Sequence, residues 1–380
     1  MIQSKALATN DALVSGESRD LLSTDSLETA IDLNLVLPIS GQDLRRRAMP
    51  SASTVHAARA QLHRKAGVVF ATVLVSYLVL LSTVAPLFVR ALAFPVLLAA
   101  LMMVATSIMH DANHGAFFEN SERKNQLVGY ASDLLGVSSV LWRLKHDVHH
   151  SDPNVQGVDP DIDQGIVARL APNQERRWWH RYQHRYLWPL YGLLGVQWLL
   201  ISDFADLRRG HVAGQTLAGL GKAKRASIFL GKVLHVSWAL VLPMLWYQWW
   251  VVIPAYLVGS WAIGFVLSVT FQIAHCVDAA EFALPETDRQ DTDFVWHQLA
   301  TTVDVAPKPS LLGQLRTMVL GGLDCQIEHH LAPQVPHTAY PAMATKLRDA
   351  CWENDVLYRS HPNVRGAIAS HYRWLKAMAA

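Results

Sequence analysis

The residues best suited to chemistry in this sequence are histidines in three short clusters. They are His110 and His114, then His146, His149 and His150, and finally His329 and His330. Spacings of three and four residues put side chains on one face of a helix, so the rings of each cluster can converge. Imidazole binds iron, copper, zinc and nickel alike, so ligand type does not choose the metal. Because seven rings exceed the needs of one tetrahedral ion, we expect two metal ions.

The composition places these clusters in a membrane protein. Of 380 residues, 51% are apolar and 13 are Trp, and the apolar residues fall in a few long blocks, as in chains that cross a bilayer. The net charge of +2 gives no indication of a polyanionic partner such as nucleic acid. The three cysteines stand far apart without a C-x-x-C pair, which argues against a disulfide framework and an iron–sulfur site.

Four apolar blocks predict four transmembrane helices, paired by short connections into two hairpins. The expected spans are at about residues 67–85, 91–109, 234–250 and 251–274. The long polar segments between and after the hairpins hold the histidine clusters and should fold as a helical cap. The predicted fold class is therefore an all-α integral membrane protein whose cap holds the metal site.

The distribution of basic residues predicts the orientation. They concentrate before the first span, between the second and third, and after the fourth. By the positive-inside rule, both termini and the metal site face the cytosol, across the inner membrane if the protein is bacterial. Residues 1–60 should be a polar, largely disordered tail, 61–350 the membrane domain and 351–380 a C-terminal segment. Residues 187–201 are apolar but short, and we favour an interfacial helix over one that dips into the membrane.

The clusters resemble the histidine boxes of the membrane fatty acid desaturases. HDANHG, WRLKHDVHH and QIEHHLAP match in order and separation, and the resemblance extends over about residues 109–341. NVQGVDPDID, RWWHRYQHRY and HQLATTVDVA are similar to the acyl-CoA and acyl-lipid branch. The Gln of QIEHH resembles the front-end type, which desaturates between an existing double bond and the carboxyl end. No HPGG haem motif occurs, so the cytochrome b5 domain fused to many such enzymes is not expected.

The resemblance implies a non-haem di-iron centre with eight histidine ligands. The family takes one further ligand from the cytosolic end of the fourth span, where this chain has His275. The implied set is His110, His114, His146, His149, His150, His275, His329 and His330. Gln326 stands where other branches have His; we favour a place beside one iron, holding a water, over direct ligation.

Ligating imidazoles usually donate their other N–H to a carboxylate or carbonyl. The candidates to accept it are Asp111, Asp147, Glu328 and Asp278. The acidic run at 159–163 is rejected as a calcium loop because the rest of an EF-hand is missing. His180 and His184 also have helical spacing, but their arginine neighbours favour an interfacial helix that binds an anionic carrier or lipid phosphate.

An unactivated C–H bond has no acidic proton, so acid–base side chains cannot break it, whereas iron with dioxygen can. We therefore predict an oxygen-dependent desaturase acting on acyl-CoA or acyl-lipid. Its two electrons should come from a separate ferredoxin, rubredoxin or cytochrome-type donor with its reductase. The basic residues Arg123, Lys124, Arg143 and Lys145 either dock an acidic donor or only mark the cytosolic side.

Two other functions were weighed against desaturation. The nearest alternative is a related di-iron hydroxylase or acetylenase acting on a carrier-bound acyl chain in natural-product biosynthesis, because the oxidant is shared. A histidine-rich transporter or metal sensor belongs to another class. It is disfavoured because transporters place ionisable groups within their spans, and here those spans hold almost none apart from His235.

Overall fold

The computed structural model describes residues 39–285, 293–306 and 310–380, and these are mostly helical. The longer helices are α1 (Gly41–Ala48), α2 (Ala52–Leu81), α3 (Leu87–Asn113), α4 (Glu122–Gly129), α5 (Ser139–Ser151), α6 (Trp178–Tyr191), α7 (Leu194–Arg209), α8 (Lys222–Met244), α9 (Trp249–His275), α10 (Phe294–Thr301), α11 (Leu311–Val319), α12 (Gln326–Leu331), α13 (Tyr340–Glu353) and α14 (Val364–Ala377). The strands are β1 (His211–Val212), β2 (Gln215–Thr216), β3 (Asp304–Val305) and β4 (Ser360–His361). β1 pairs antiparallel with β2, and β3 pairs parallel with β4.

Among the described residues, four helices are long and apolar enough to cross a membrane, namely α2, α3, α8 and α9. They form the two expected hairpins, α2 with α3 and α8 with α9. The hairpin tips contact each other, since the Tyr247 hydroxyl donates to the Leu80 carbonyl at 2.9 Å and Arg90 donates to that hydroxyl at 3.0 Å. The predicted all-α membrane fold is confirmed, and we call the described residues outside the four spans the cap.

The membrane-spanning helices begin and end at residues other than those that hydropathy predicted. α2 begins at Ala52, where the Ser51 hydroxyl accepts the Thr54 N–H, fifteen residues before the predicted span. A capping side chain and not the first apolar residue sets this start. α8 likewise begins at Lys222 and ends at Met244, before the Trp and Tyr residues of the tip that the prediction had included.

The predicted tail is helical in its described part. Residues 1–38 lie outside the described residues, but residues 41–48 form α1 and α2 follows directly. Leu44 and Ala48 are buried against Leu299 and Leu347 of the cap. The expectation of disorder is wrong for residues 41–60, because apolar positions with helical spacing inside that polar stretch are fixed by burial.

Residues 187–201 lie in a bent helix pair. α6 and α7 meet at 77°, and the pair packs on α9, where Trp261 donates its indole N–H to the Pro189 carbonyl at 3.0 Å. A bend of that size excludes a single straight crossing. The interfacial placement of this segment stays a prediction.

A buried ion pair ties the third span to the cap. The Lys232 ammonium of α8 contacts the Asp203 carboxylate of α7 and donates to the Gly136 and Trp198 carbonyls at 2.6 and 2.8 Å. The same carboxylate accepts the N–H of Ser138 at 3.1 Å. Because Ser138 is the N-cap residue of α5, this contact fixes the start of the helix that carries the second histidine cluster.

We expect Asp203→Ala to lower the free energy of unfolding by about 3–5 kcal/mol, because it leaves the Lys232 ammonium buried without its counter-charge. The double variant Asp203→Leu with Lys232→Met should recover most of that loss, since no unpaired charge remains. Denaturant unfolding in mixed micelles, followed by tryptophan fluorescence, measures both.

Asp43→Ala is the matched control, because it breaks the exposed pair with Arg46 and should cost less than about 1 kcal/mol. A loss in the Asp203 variant no larger than in this control contradicts the role given to the buried pair.

Candidate metal centre

Four helices bring the candidate ligands together at the cap ends of the spans. They are the end of α3, α5, the end of α9, and α12. Seven of the eight histidines are buried, and His114, directly after α3, is partly exposed. α12 is buried along its whole length, so the third cluster lies in the centre of the cap.

The rings fall into two groups of donor atoms. The first consists of His110, His114, His146 and His329, and the second of His149, His275 and His330; within each group these atoms lie within 4.8 Å of one another. His150 lies between the groups, with ring centroids 4.5 Å from His114 and 4.2 Å from His330. The structure therefore brings all eight predicted residues into one volume with room for two ions.

The spacing of the nitrogens suits shared metal ions. The Nε2 atom of His146 is 3.2 Å from that of His110 and 3.1 Å from that of His150. Metal–nitrogen bonds of about 2.1 Å put neighbouring ligand atoms roughly 3.0–3.4 Å apart. The Nε2 atoms of His114, His329 and His330 are buried and have no hydrogen-bond partner among the described residues. Since unpaired buried nitrogens are costly, metal ions fit this donor set.

The protonation state of the rings also suits ligation. Burial, reinforced by the neighbouring imidazoles, lowers the pKa of five of the eight candidate ligand rings well below the usual histidine range. These are His114, His146, His150, His329 and His330. They are therefore neutral at pH 7, which is the form that binds metals.

His149 differs because two carboxylates face it. Burial alone lowers its pKa, but Asp159 and Asp161 outweigh burial and raise the pKa of His149 to about 9. Its Nδ1 lies 3.0 Å from both oxygens of Asp159. Asp159 is itself held by the N–H groups of Asn154 and Asp161 at 2.8 and 2.9 Å. The Nδ1–H of His149 thus points to Asp159, and the Nε2 atom can bind a metal once it has lost its proton.

Three other rings have hydrogen-bond partners across the cap. His330 Nδ1 donates to Gln298 Oε1 at 2.9 Å, and the Gln298 amide donates to the His150 carbonyl at 3.1 Å. His329 Nδ1 lies 3.2 Å from the Tyr340 hydroxyl, and His275 Nδ1 lies 3.3 Å from the Thr301 carbonyl. Such partners orient ligating rings.

The sequence analysis had not selected these partners. Gln298 and Thr301 lie in HQLATTVDVA, and Asp159 lies in the acidic run at 159–163. HQLATTVDVA stood out only by its family resemblance, and the acidic run by that resemblance and as a rejected calcium loop. That resemblance was the signal that pointed to them.

The four carboxylates predicted to hold the rings face elsewhere. Asp111 accepts the Nδ1–H of His337 at 2.8 Å, and Asp147 is exposed beside Arg143. Three of the four directly neighbour a ligand in a helix, where adjacent side chains point about 100° apart. No hydrogen bond joins any of the four to a candidate ligand ring within the described residues.

Glu328 and Asp278 are engaged by other groups. The Tyr358 hydroxyl donates to Glu328 at 3.1 Å, and Asp278 pairs with Arg373. Burial, with Asp304 beside it, raises the pKa of Glu328 well above its usual range. This shift favours the neutral form of the Glu328 carboxyl group. By contrast, Gln326 is buried on the ligand face of α12, three residues before His329, so both of its predicted roles stay open.

Comparison with known proteins adds the family of the chain to the geometry of the site. The chain matches the family model for fatty acid desaturases over residues 85–362. It is 36% identical over 278 residues to the acyl-lipid (8-3)-desaturase of Physcomitrium patens, an alignment that covers 72% of this chain but only 57% of that protein.

Two further relatives are matched over more of their length. The sn-1 linoleoyl-lipid 6-desaturase of Synechocystis sp. is 32% identical over 298 residues, covering 76% of this chain and 80% of the relative. The protein of the same name from Arthrospira platensis is 33% identical over 279 residues, covering 73% and 74%. The resemblance seen in the histidine boxes is thereby confirmed: the chain belongs to the fatty acid desaturase family, whose members are oxidoreductases.

Proposed function

We propose that this protein is an oxygen-dependent di-iron desaturase that introduces a double bond into an acyl chain of a membrane lipid, as a front-end enzyme. The observation that carries the proposal is the convergence of eight histidines at the cap ends of the spans, seven in two groups and His150 between them. The names of the relatives specify acyl-lipid and linoleoyl-lipid substrates, which favours a lipid over a CoA thioester as the acyl carrier.

An apolar cavity between the four spans supports an acyl substrate. Its volume is about 290 Å³, and its walls include Leu97, Leu101 and Leu267 with Trp198 and Trp238. Such a cavity suits an alkyl chain. Leu101 lies nine residues, or about 14 Å along α3, before His110. A chain whose methyl end occupies this cavity therefore reaches the metal centre with carbons nearer its carboxyl end, as front-end chemistry requires.

The overall reaction balances with an external reductant. One acyl –CH₂–CH₂– unit, O₂, two electrons and two protons give –CH=CH– and two waters. The bound irons supply, with dioxygen, the oxidising power that no side chain has. The chain's own residues hold the rings: Asp159 orients His149 and Gln298 orients His330. Burial of the donor set keeps bulk water from the reacting carbons.

Electron supply and orientation are part of the proposal. We infer a separate ferredoxin, rubredoxin or cytochrome-type donor that docks on a metal site facing the cytosol. Among the four basic residues considered for docking, Lys145 is already paired with the buried Asp206, and Arg143 lies 3.6 Å from Asp147. Arg123 and Lys124 on α4 are the remaining candidates to attract an acidic donor.

Expression in a host with defined lipids, followed by mass spectrometry of the acyl products, tests the activity. New double bonds on the carboxyl side of existing ones support front-end desaturation. A hydroxylated or alkyne product, or no new unsaturation even with added lipids, favours the related enzyme of natural-product biosynthesis. Purified protein should hold about two irons per chain, and a preparation with one zinc and no iron contradicts the proposed centre.

His149→Ala should reduce desaturation below detection while the protein still inserts into the membrane, because the second donor group is left with two histidines. Product analysis and membrane fractionation measure the two effects. His211→Ala removes an exposed histidine outside the centre and should retain full activity. Unchanged turnover in the His149 variant shows that the ligand set is wrong.

Asp159→Asn should reduce activity by about 10–100-fold and lower the iron content towards one per chain, because the amide orients His149 less strongly than a carboxylate. Asp161→Asn is the matched control. That carboxylate is 3.7 Å from His149 Nδ1 and 42% exposed, so its loss should change iron content little. Equal effects of the two substitutions rule out a specific role for Asp159.

A further inference from the structure

A second cavity, of about 760 Å³, opens beside the metal centre where the cap meets the spans. Its walls come from α2, α3, α11 and the start of α13. One side is basic, with Arg64, Lys65 and His337, and another is apolar, with Met103 and Met318. Among the described residues that line it, none is acidic. The cavity therefore suits a ligand that carries both negative charge and an apolar chain.

The position of this cavity is the level of lipid headgroups. Arg64 and Lys65 come just before the long apolar run of α2, which begins near Gly67. α11 exposes Leu311 and Leu312, which are 72% and 79% accessible. Exposed leucines on a short amphipathic helix are typical of segments that lie in the membrane interface. The cavity beside α11 therefore opens towards lipid and not towards bulk water alone.

Most of the basic side is fixed in place. The Lys65 ammonium donates to the Ser107 hydroxyl at 2.8 Å and to the Met318 carbonyl at 2.6 Å. It also donates to His337 Nε2 at 2.8 Å. On the other side of the His337 ring, the Nδ1–H donates to the Asp111 carboxylate at 2.8 Å. These contacts form a polar floor under the cavity.

Arg64 supplies charge that the protein does not use. Its side chain is exposed and forms no ion pair or hydrogen bond with the residues that the structure describes. Pro341 and Thr345, one turn apart, put the first turn of α13 on the same wall. The 3₁₀ turn that leads into α13 begins at His337, whose N–H donates to the Asp111 carboxylate at 3.1 Å. Arg64 is therefore the charged group of this cavity that remains for a ligand.

We propose that this cavity binds the anionic phosphodiester headgroup of a membrane glycerolipid, with Arg64 as the charged contact and the wall at Met103 and Met318 against an acyl chain. The floor of the cavity leads through His337 to Asp111, the residue after His110. That the bound lipid is also the carrier of the acyl chain that is desaturated is a further step, which rests on the proposed function.

Native mass spectrometry of the full-length, iron-loaded protein in neutral detergent tests the site without turnover. Phosphatidylglycerol and phosphatidylcholine are titrated separately, and the apparent affinity of the first bound lipid is compared. Wild-type protein should bind phosphatidylglycerol about fivefold more tightly, as expected for one basic residue near an anionic headgroup. Arg64→Gln should remove that preference, and Arg64→Lys should keep most of it.

Lys222→Gln is the matched control. It removes one exposed charge at the cap end of α8, outside the cavity, and should leave the preference unchanged. Equal affinity for the two lipids in wild type, or equal losses in the Arg64→Gln and Lys222→Gln variants, overturns the site. Displacement of the lipid by millimolar inorganic phosphate or by acyl-CoA overturns a glycerolipid ligand.

Product analysis on the same preparations, supplied with O₂ and with a ferredoxin and its reductase as electron donor, separates the two proposals. Desaturation by wild-type protein that shows no lipid preference overturns the headgroup site and leaves the desaturase function standing. A clear preference without turnover on any lipid supports the headgroup site as a binding site, and overturns both the desaturase function and the role of the lipid as acyl carrier.

Discussion

Eight imidazoles, seven of them buried, share one volume, and the cap is organised by what that burial demands. A buried ring must be neutral to bind a metal, and its second nitrogen needs a hydrogen-bond partner. Burial itself keeps most rings neutral. The partners come from separate parts of the cap: Asp159 for His149, Gln298 for His330 and Tyr340 for His329. Each of these contacts fixes a loop or helix relative to a ligand, so the metal site and the packing of the cap depend on each other.

Helix geometry explains which parts of the site could be predicted. Rings three or four residues apart follow from local spacing, which pointed to seven of the candidate ligands, and the family resemblance added His275. The structure brings these eight rings together. Carboxylates that adjoin a ligand in a helix point away from it, so Asp111 and Asp147 were poor choices to hold the rings. The observed partners are far away in sequence, as with Gln298 and His330, 32 residues apart. Such pairs come from tertiary packing, which spacing in one sequence does not contain.

The ends of the helices and the roles of the basic residues also depend on contacts that the sequence alone does not contain. Hydropathy located the bilayer but not the helix ends, which hydrogen bonding and capping decide, as at Ser51. The sequence does not distinguish a basic residue that faces a partner protein from one that forms an ion pair within the fold. Lys145 and Lys232 are both paired with buried aspartates of α7. The Lys232 pair ties the third span to the cap, and the Lys145 pair joins two helices of the cap. Only the structure distinguishes these lysines from residues free to attract a ligand or a donor.

The two cavities define an orientation for a bound lipid relative to the metal centre. The apolar cavity lies among the spans, about 14 Å along α3 from the centre, whereas the basic cavity reaches it through the contacts of His337 with Lys65 and Asp111. Under the two proposals, a lipid with its headgroup in the basic cavity and its methyl end among the spans would pass the metal centre near its carboxyl end. The position of the new double bond would then be set by the distance from the headgroup to the metal centre. That distance would confine the reaction to carbons near the carboxyl group.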